Sequence, residues 1–112
     1  MNKLTALLLA LLFTISSCES DFFDEPDPCL QEEVDNFKQS DFCDDSKVEA
    51  YFFDSETVYV FSMGSCIADG GAFVKDHKCE SIGFLGGIAG NTEIDGKDFY
   101  DHAEFIRVVW EK

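Results

Sequence analysis

The sequence predicts an α+β domain in which an N-terminal helix packs on a small antiparallel β-sheet, stapled by two disulfides. Three observations indicate this fold. One stretch has the apolar spacing of a helix, several later stretches alternate between apolar and polar residues, and four cysteines are free to pair in an exported chain. A length of 112 residues suits a single domain of this kind.

Residues 1–17 have the features of an export signal peptide. Lys3 is the only charged residue before Cys18, and residues 4–15 form a mainly apolar run. A helix that spans a bilayer needs about 20 apolar residues, so this run is too short to remain as a membrane span. We therefore expect it to be removed during export.

The four residues that end the signal, Ile15-Ser16-Ser17-Cys18, resemble a bacterial lipobox. The resemblance implies that the Cys18 thiol receives diacylglycerol, that cleavage occurs just before it, and that its new amino group is acylated. Several acyl chains on one residue hold a membrane stably, whereas one binds marginally. The alternative is an ordinary secretory signal with a chance cysteine. We predict lipidation at Cys18, a lipid bilayer as the partner, and a location at the bacterial outer membrane, facing the periplasm or the cell exterior.

The charge of the mature chain, residues 18–112, excludes one class of partner. Seven basic residues stand against 23 acidic ones, which gives a net charge of −16. Nucleic acids and anionic lipid surfaces attract basic patches, so a chain of this charge is repelled by both. We predict no nucleic-acid binding.

Four cysteines, Cys29, Cys43, Cys66 and Cys79, remain once Cys18 carries lipid. An even number in an oxidising compartment favours two disulfides. The alternative is a zinc site, but no Cys-x-x-Cys motif and no Cys/His pair at ligand spacing is present. We predict two disulfides, no metal site and no cofactor.

Four cysteines allow three pairings, and the sequence leaves all of them open. We favour Cys66 with Cys79, because they flank the turn signal Asp69-Gly70-Gly71, and therefore Cys29 with Cys43. Each closed loop of about 15 residues would contribute roughly 3 kcal/mol in the chain-entropy model.

The domain is preceded by a short acidic segment, residues 18–28. It contains two prolines and no periodic pattern, which is typical of a tether. Acidic residues after a lipid-bearing cysteine also resemble the surface-export signal of some Gram-negative lipoproteins, and a solvated spacer is the plain alternative. Residues 29–112 are the predicted domain.

The domain begins with a predicted helix over residues 29–39, where Leu30, Val34 and Phe37 lie on one face. A β-hairpin follows, with strands over residues 47–53 and 57–63. Further predicted elements are strands over 71–75, 81–88 and 104–110, a turn at Asp95-Gly96, and one helical turn capped by Asp98. The stretch 81–88 is interrupted by glycines, so a bulged loop is the alternative there.

Four stretches of the domain stand out: CLQEEVDNF, VEAYFFDSETVYVFSMGSC, IGFLGGIAGNTEIDGKDF with a cysteine before it, and FIRVVWE. Together they resemble a family of small uncharacterised bacterial lipoproteins with a cysteine-bridged α+β domain of unknown function. The resemblance covers most of residues 29–111. It implies a shared α+β fold and a lipid anchor, and it brings no activity and no catalytic residues.

The motifs that suggest chemistry are weak. Residues 83–90 are rich in glycine but lack the Lys-Ser/Thr of a phosphate-binding loop, so we interpret their glycines as structural. Residues 91–96 resemble the start of an EF-hand loop, but His102 stands where a bidentate Glu belongs. His77 and His102 are the only histidines, and no nucleophile motif accompanies them. We predict no catalytic residue and no enzymatic activity.

The sequence thus predicts a lipid-anchored, exported module of unknown molecular activity, which acts by protein interaction or as a structural part of the envelope. The alternative is a small hydrolase or a weakly calcium-dependent enzyme. Tyr51, Phe53, Tyr59 and Phe61 are the candidates for a second apolar face that would contact another protein. The more favoured interpretation of these side chains is that the helix or Trp110 covers them as core.

Overall fold

The computed structural model describes residues 27–112. The predicted signal peptide, Cys18 and most of the predicted tether lie outside the described residues. In chain order the elements are α1 (Leu30–Gln39), β1 (Lys47–Phe53), β2 (Glu56–Ser62), β3 (Gly71–Lys75), β4 (Ser81–Gly86), β5 (Glu93–Ile94), β6 (Lys97–Asp98), α2 (Phe99–His102) and β7 (Glu104–Glu111). Among these residues no helix is long and apolar enough to cross a membrane.

Five strands form one antiparallel sheet in the order β4-β3-β2-β1-β7, and β5 and β6 pair as a separate hairpin. Short connections make β1 to β4 neighbours in sequence order, while β7 returns to pair with β1. The prediction of a helix, an antiparallel sheet and two disulfides is confirmed. Sheet dominates the fold, since the two helices have only 10 and 4 residues.

Strand β4 is shorter than the predicted stretch 81–88. It ends at Gly86, because Gly86 and Gly87 have φ angles of 90° and 77°. These values lie in the left-handed region, which glycine adopts without steric cost. The glycines of this run therefore act as structural turn residues.

The first apolar cluster contains the buried face of α1. Leu30, Val34 and Phe37 belong to it together with Tyr59 and Phe61 of β2. The ring centroids of Phe37 and Phe61 are 5.4 Å apart in an edge-on arrangement. Because α1 has only 10 residues, its stability comes mainly from this burial, at roughly 1.5–3 kcal/mol for each large apolar side chain.

The second apolar cluster lies on the opposite face of the sheet. It contains Phe53, Val58, Val60, Ala72, Val74, Leu85, Ile94 and Phe99. Ile94 comes from the small hairpin and Phe99 from α2, so this segment covers the face that α1 leaves free. At Gly83, an added Cβ would lie 2.5 Å from Ile94 Cδ1, so the bare glycine makes room for the hairpin.

The prediction of one second apolar face formed by Tyr51, Phe53, Tyr59 and Phe61 is wrong. In the β1–β2 register Tyr59 is opposite Ala50 and not opposite Tyr51. Directly paired residues share a face, so Tyr59 and Phe61 lie on one side of the sheet and Tyr51 and Phe53 on the other. The interpretation of these side chains as core holds for Phe53, Tyr59 and Phe61, which are at most 2% exposed.

The favoured disulfide pairing, Cys29 with Cys43 and Cys66 with Cys79, is also wrong. The structure joins Cys29 to Cys79 and Cys43 to Cys66, with Cα–Cα distances of 6.2 Å and 5.5 Å. The backbone N–H of Cys43 donates to the carbonyl of Met63, just after β2, so Cys43 lies beside the chain that leads to Cys66. The start of α1 lies instead beside the loop that follows β3.

The predicted cap of the short helix is confirmed. Asp98 precedes α2 with an extended backbone, and its Oδ1 accepts a hydrogen bond of 3.0 Å from the N–H of Asp101. This satisfies one of the N–H groups that a helix leaves unpaired at its start.

Replacing Asp98 by alanine is expected to lower the free energy of unfolding by about 1 kcal/mol, because Asp101 N–H loses its acceptor. Asp98→Asn keeps an acceptor oxygen at the same place and should lose much less. Urea denaturation of the two variants beside the parent chain measures the difference. Equal losses in both variants would contradict a capping role.

Candidate functional site

The chain enters the domain at Asp27, on the side of the sheet that α1 occupies. The hydroxyl of Tyr59 donates a hydrogen bond to Oδ2 of Asp27. Cys29, two residues after Asp27, forms a disulfide with Cys79. The entry point is thus held by a buried strand residue and by a covalent bond to the β3–β4 loop. A force applied to the preceding segment would therefore be transmitted to the sheet as well as to α1.

The environment of Tyr59 raises its pKa to about 12. Burial is the largest cause, and the hydrogen bond to the Asp27 carboxylate is the second, since both disfavour the tyrosinate. Because the pKa in the folded state lies above the usual 10.0, this residue contributes stability that is complete below pH 10 and is lost as the pH rises towards about 12.

In a pH titration followed by tyrosinate absorbance, the step at the highest pH should therefore come from Tyr59. We expect Tyr59→Phe to lack the step near pH 12, whereas Tyr100→Phe, at an exposed position, keeps it. Absorbance is recorded against pH for the parent chain and both variants. Persistence of the step near pH 12 in Tyr59→Phe would show that the assignment is wrong.

The second disulfide lies in a corner with its own hydrogen bonds. The carboxylate of Asp45 accepts bonds from the Ser65 hydroxyl, at 2.6 Å, and from the Ser65 backbone N–H, at 2.9 Å. These bonds lower the pKa of Asp45 below its usual 3.8, so the stability they contribute is present above that pH and is lost as the pH falls through the lower value. Gly64 has a φ of 104°, and a Cβ there would lie 2.5 Å from Cys43 Cβ, so the corner requires glycine.

Two grooves flank α1. The first has a volume of about 330 Å³ and is lined by aromatic rings, including Phe37, Phe61 and Phe73. Lys75 at its rim pairs with Glu33 and lies 5.4 Å from the centroid of the Phe61 ring. The charges at this groove are therefore balanced within the domain.

The second groove, here called the entry groove, has a volume of about 380 Å³. Its lining includes Asp27, Val34, Lys38, Arg107 and Trp110. The Lys38 ammonium lies 5.7 Å from the centroid of the Trp110 ring, over an apolar floor. The volume falls within the range of small-molecule ligand pockets, about 300–1,000 Å³. Sequence reasoning missed this site, although Arg107 and Trp110 are the only arginine and tryptophan of the chain.

A third feature is an exposed apolar surface at the β7 edge of the sheet, here called the β7 patch: Phe105, Ile106 and Val108, which are 54%, 43% and 44% exposed. The opposite edge, β4, is protected, because the side-chain amide of Asn91 donates to the Phe84 carbonyl at 2.7 Å. Within residues 27–112 no other strand pairs with the outer edge of β7. Two register irregularities interrupt the pairing of β7 with β1.

The residues that sequence analysis weighed for chemistry are dispersed. His77 Nδ1 lies 3.0 Å from Glu56 Oε1, and His102 Nδ1 lies 2.8 Å from the carbonyl oxygen of Asp98. Asn91 is the first position of the EF-hand-like stretch. Its side-chain amide donates hydrogen bonds to the carbonyls of Phe84, in β4, and Glu93. Within residues 27–112 no three His, Cys, Asp or Glu side chains are grouped as metal ligands.

These features define a small disulfide-bonded α+β domain, mostly sheet, with an entry point fixed beside a groove. A family model described as a domain of unknown function (DUF6970) matches residues 35–112, and the chain belongs to this family. The prediction that the chain resembles a family of unknown function is therefore confirmed. The prediction that this family consists of lipoproteins stays a prediction. No curated protein and no solved structure matches the chain.

Proposed function

We propose that this chain is an exported lipoprotein, held at the bacterial outer membrane by acylated Cys18, whose domain acts through protein contacts and not through catalysis. The observation that carries the proposal is the use of the cysteines. Four of the five cysteines pair with each other, which leaves Cys18, at the end of the lipobox-like stretch, for lipid.

The geometry of the entry point suits a tethered domain. Residues 18–26 precede Asp27, and nine residues span at most about 30 Å when extended. The anchor would thus keep the domain close to the bilayer. The Tyr59–Asp27 bond and the Cys29–Cys79 disulfide stand where force from the anchor enters the fold.

Two observations support a non-enzymatic module. All four cysteines of the domain are in disulfides, so none is a free thiolate nucleophile. The two histidines bond to different partners, and each is exposed. The β7 patch, in contrast, offers apolar side chains at a sheet edge, which is the kind of surface that proteins use to bind one another.

Lipidation is tested by metabolic labelling with a palmitate analogue and by phase separation in detergent. We expect the parent chain to carry label and to enter the detergent phase, and Cys18→Ala to do neither. Ser16→Ala, which keeps a small residue in the lipobox, should behave like the parent. Mass spectrometry that finds Cys18 unacylated in the parent would overturn the proposal.

The contact surface is tested by crosslinking in intact cells, with and without protease treatment of the cell surface. We expect a discrete crosslinked product that is lost in Phe105→Ser/Ile106→Ser and kept in Ile88→Ser, a control at a position that is 87% exposed elsewhere. Protection from protease would assign the domain to the periplasm. A product unchanged by the β7 substitutions would remove the β7 patch from the proposal.

A further inference from the structure

The entry groove holds a cation without a partner among the described residues. Arg107 forms no salt bridge with any carboxylate of residues 27–112, whereas five lysines in the same range of residues do. Of the chain's 23 acidic residues only four, Glu19, Asp21, Asp24 and Glu25, lie outside that range. A half-buried arginine at an apolar floor is a site for a carboxylate that brings apolar atoms with it.

Charge decides between an external ligand and the chain itself. A body with a net charge of −16 repels a free acidic ligand, and the repulsion opposes its approach to the groove. A segment of the same chain is already present at an effective concentration in the millimolar range, so it needs no long-range attraction. The segment SDFFDEP, residues 20–26, has the required chemistry, because two phenylalanines stand between aspartates.

The reach of this segment fits the groove. Asp27 itself lines the groove, and Glu25 and Phe23 precede it by two and four residues. At about 3.3 Å per residue these lie within roughly 7 Å and 13 Å along the chain, comparable to the width of a cavity of this volume.

We propose that residues 21–25 dock in the entry groove, with a phenylalanine of the Phe22-Phe23 pair against Trp110 and a carboxylate of Asp24 or Glu25 on Arg107. A partly exposed ion pair contributes little on its own, so the aromatic contact supplies most of the affinity and the arginine sets the register. If the proposed lipid anchor holds, docking leaves only residues 18–20 free and keeps the domain against the bilayer.

Trp110 reports on the groove directly, because it is the only tryptophan of the chain. The test uses the mature chain, residues 18–112, with Cys18→Ser and no lipid, and measures quenching of tryptophan fluorescence by acrylamide. We expect Phe22→Ser/Phe23→Ser to raise the quenching constant about twofold, since the ring that shields Trp110 is removed. Arg107→Gln should raise it less, and Lys97→Gln, which lies at an exposed pair with Asp54, should leave it unchanged.

The Phe22→Ser/Phe23→Ser variant changes residues before the domain, so folding of residues 27–112 is checked by an unchanged urea midpoint. An unchanged quenching constant in that variant would overturn the proposal. The same result together with a fall in quenching on addition of the peptide SDFFDEP would assign the groove to an external acidic ligand instead. Failure of lipidation is a separate result, because this measurement needs no acyl chain.

Discussion

Replacing Cys29 and Cys79 together by alanine is expected to lower the free energy of unfolding by about 4 kcal/mol in the chain-entropy model. The reason is the length of the loop that this bridge closes, with a sequence separation of 50 against 23 for Cys43–Cys66. The shorter loop should be worth about 3.4 kcal/mol. Against a typical net stability of about 5–15 kcal/mol, losing the longer bridge leaves a marginal domain.

Urea denaturation of the two double variants beside the parent chain measures these losses. A single variant, Cys29→Ala, gives an independent check, because it should leave one free thiol at Cys79. Peptide mapping without reductant locates that thiol. A free thiol at Cys43, or a smaller loss for the Cys29/Cys79 variant than for the Cys43/Cys66 variant, would contradict the pairing.

The second large effect is expected at Phe99, where alanine should cost about 3–5 kcal/mol of stability. Phe99 is 2% exposed, and its ring centroid lies 5.1 Å from that of Phe53 and 5.3 Å from that of Tyr51. It therefore joins α2 and the small hairpin to the sheet. Its removal leaves a cavity in the second cluster and frees the segment that covers this face.

The neighbouring residue supplies a matched control. Tyr100 lies in the same helical turn but is 66% exposed, so Tyr100→Ala should change the free energy of unfolding by no more than about 0.5 kcal/mol. Both variants are measured by urea denaturation with the disulfides intact. Similar midpoints for the two variants would mean that Phe99 is not a core residue.

The local elements were predictable because each is encoded within a few neighbouring residues. The spacing of Leu30, Val34 and Phe37 fixes both the helix and its buried face, and Asp98 caps the turn that follows it. Strand β3 has the predicted bounds, Gly71–Lys75, and β2 is displaced by one residue. Strand ends shift where glycine allows a left-handed backbone, as at Gly86.

Long-range relations were not predictable in the same way. The choice of Cys66 with Cys79 relied on a turn between them, but the structure places the start of α1 beside the β3–β4 loop. Likewise, the alternation of residues within β1 and β2 says which side chains share a face of one strand. Only the register between the strands says that Tyr59 shares a face with Ala50 and not with Tyr51.

The amino-acid sequence alone determined the α+β class and the positions of the helix and the main strands. Its count of cysteines also separates Cys18 from the four cysteines of the domain. Tertiary structure decided which cysteines pair, which aromatic residues are core, and that Arg107 and Trp110 meet at the entry groove. The physical reason is distance along the chain: periodicity and capping act over a few residues, whereas disulfides, faces and grooves depend on how the sheet orders its strands.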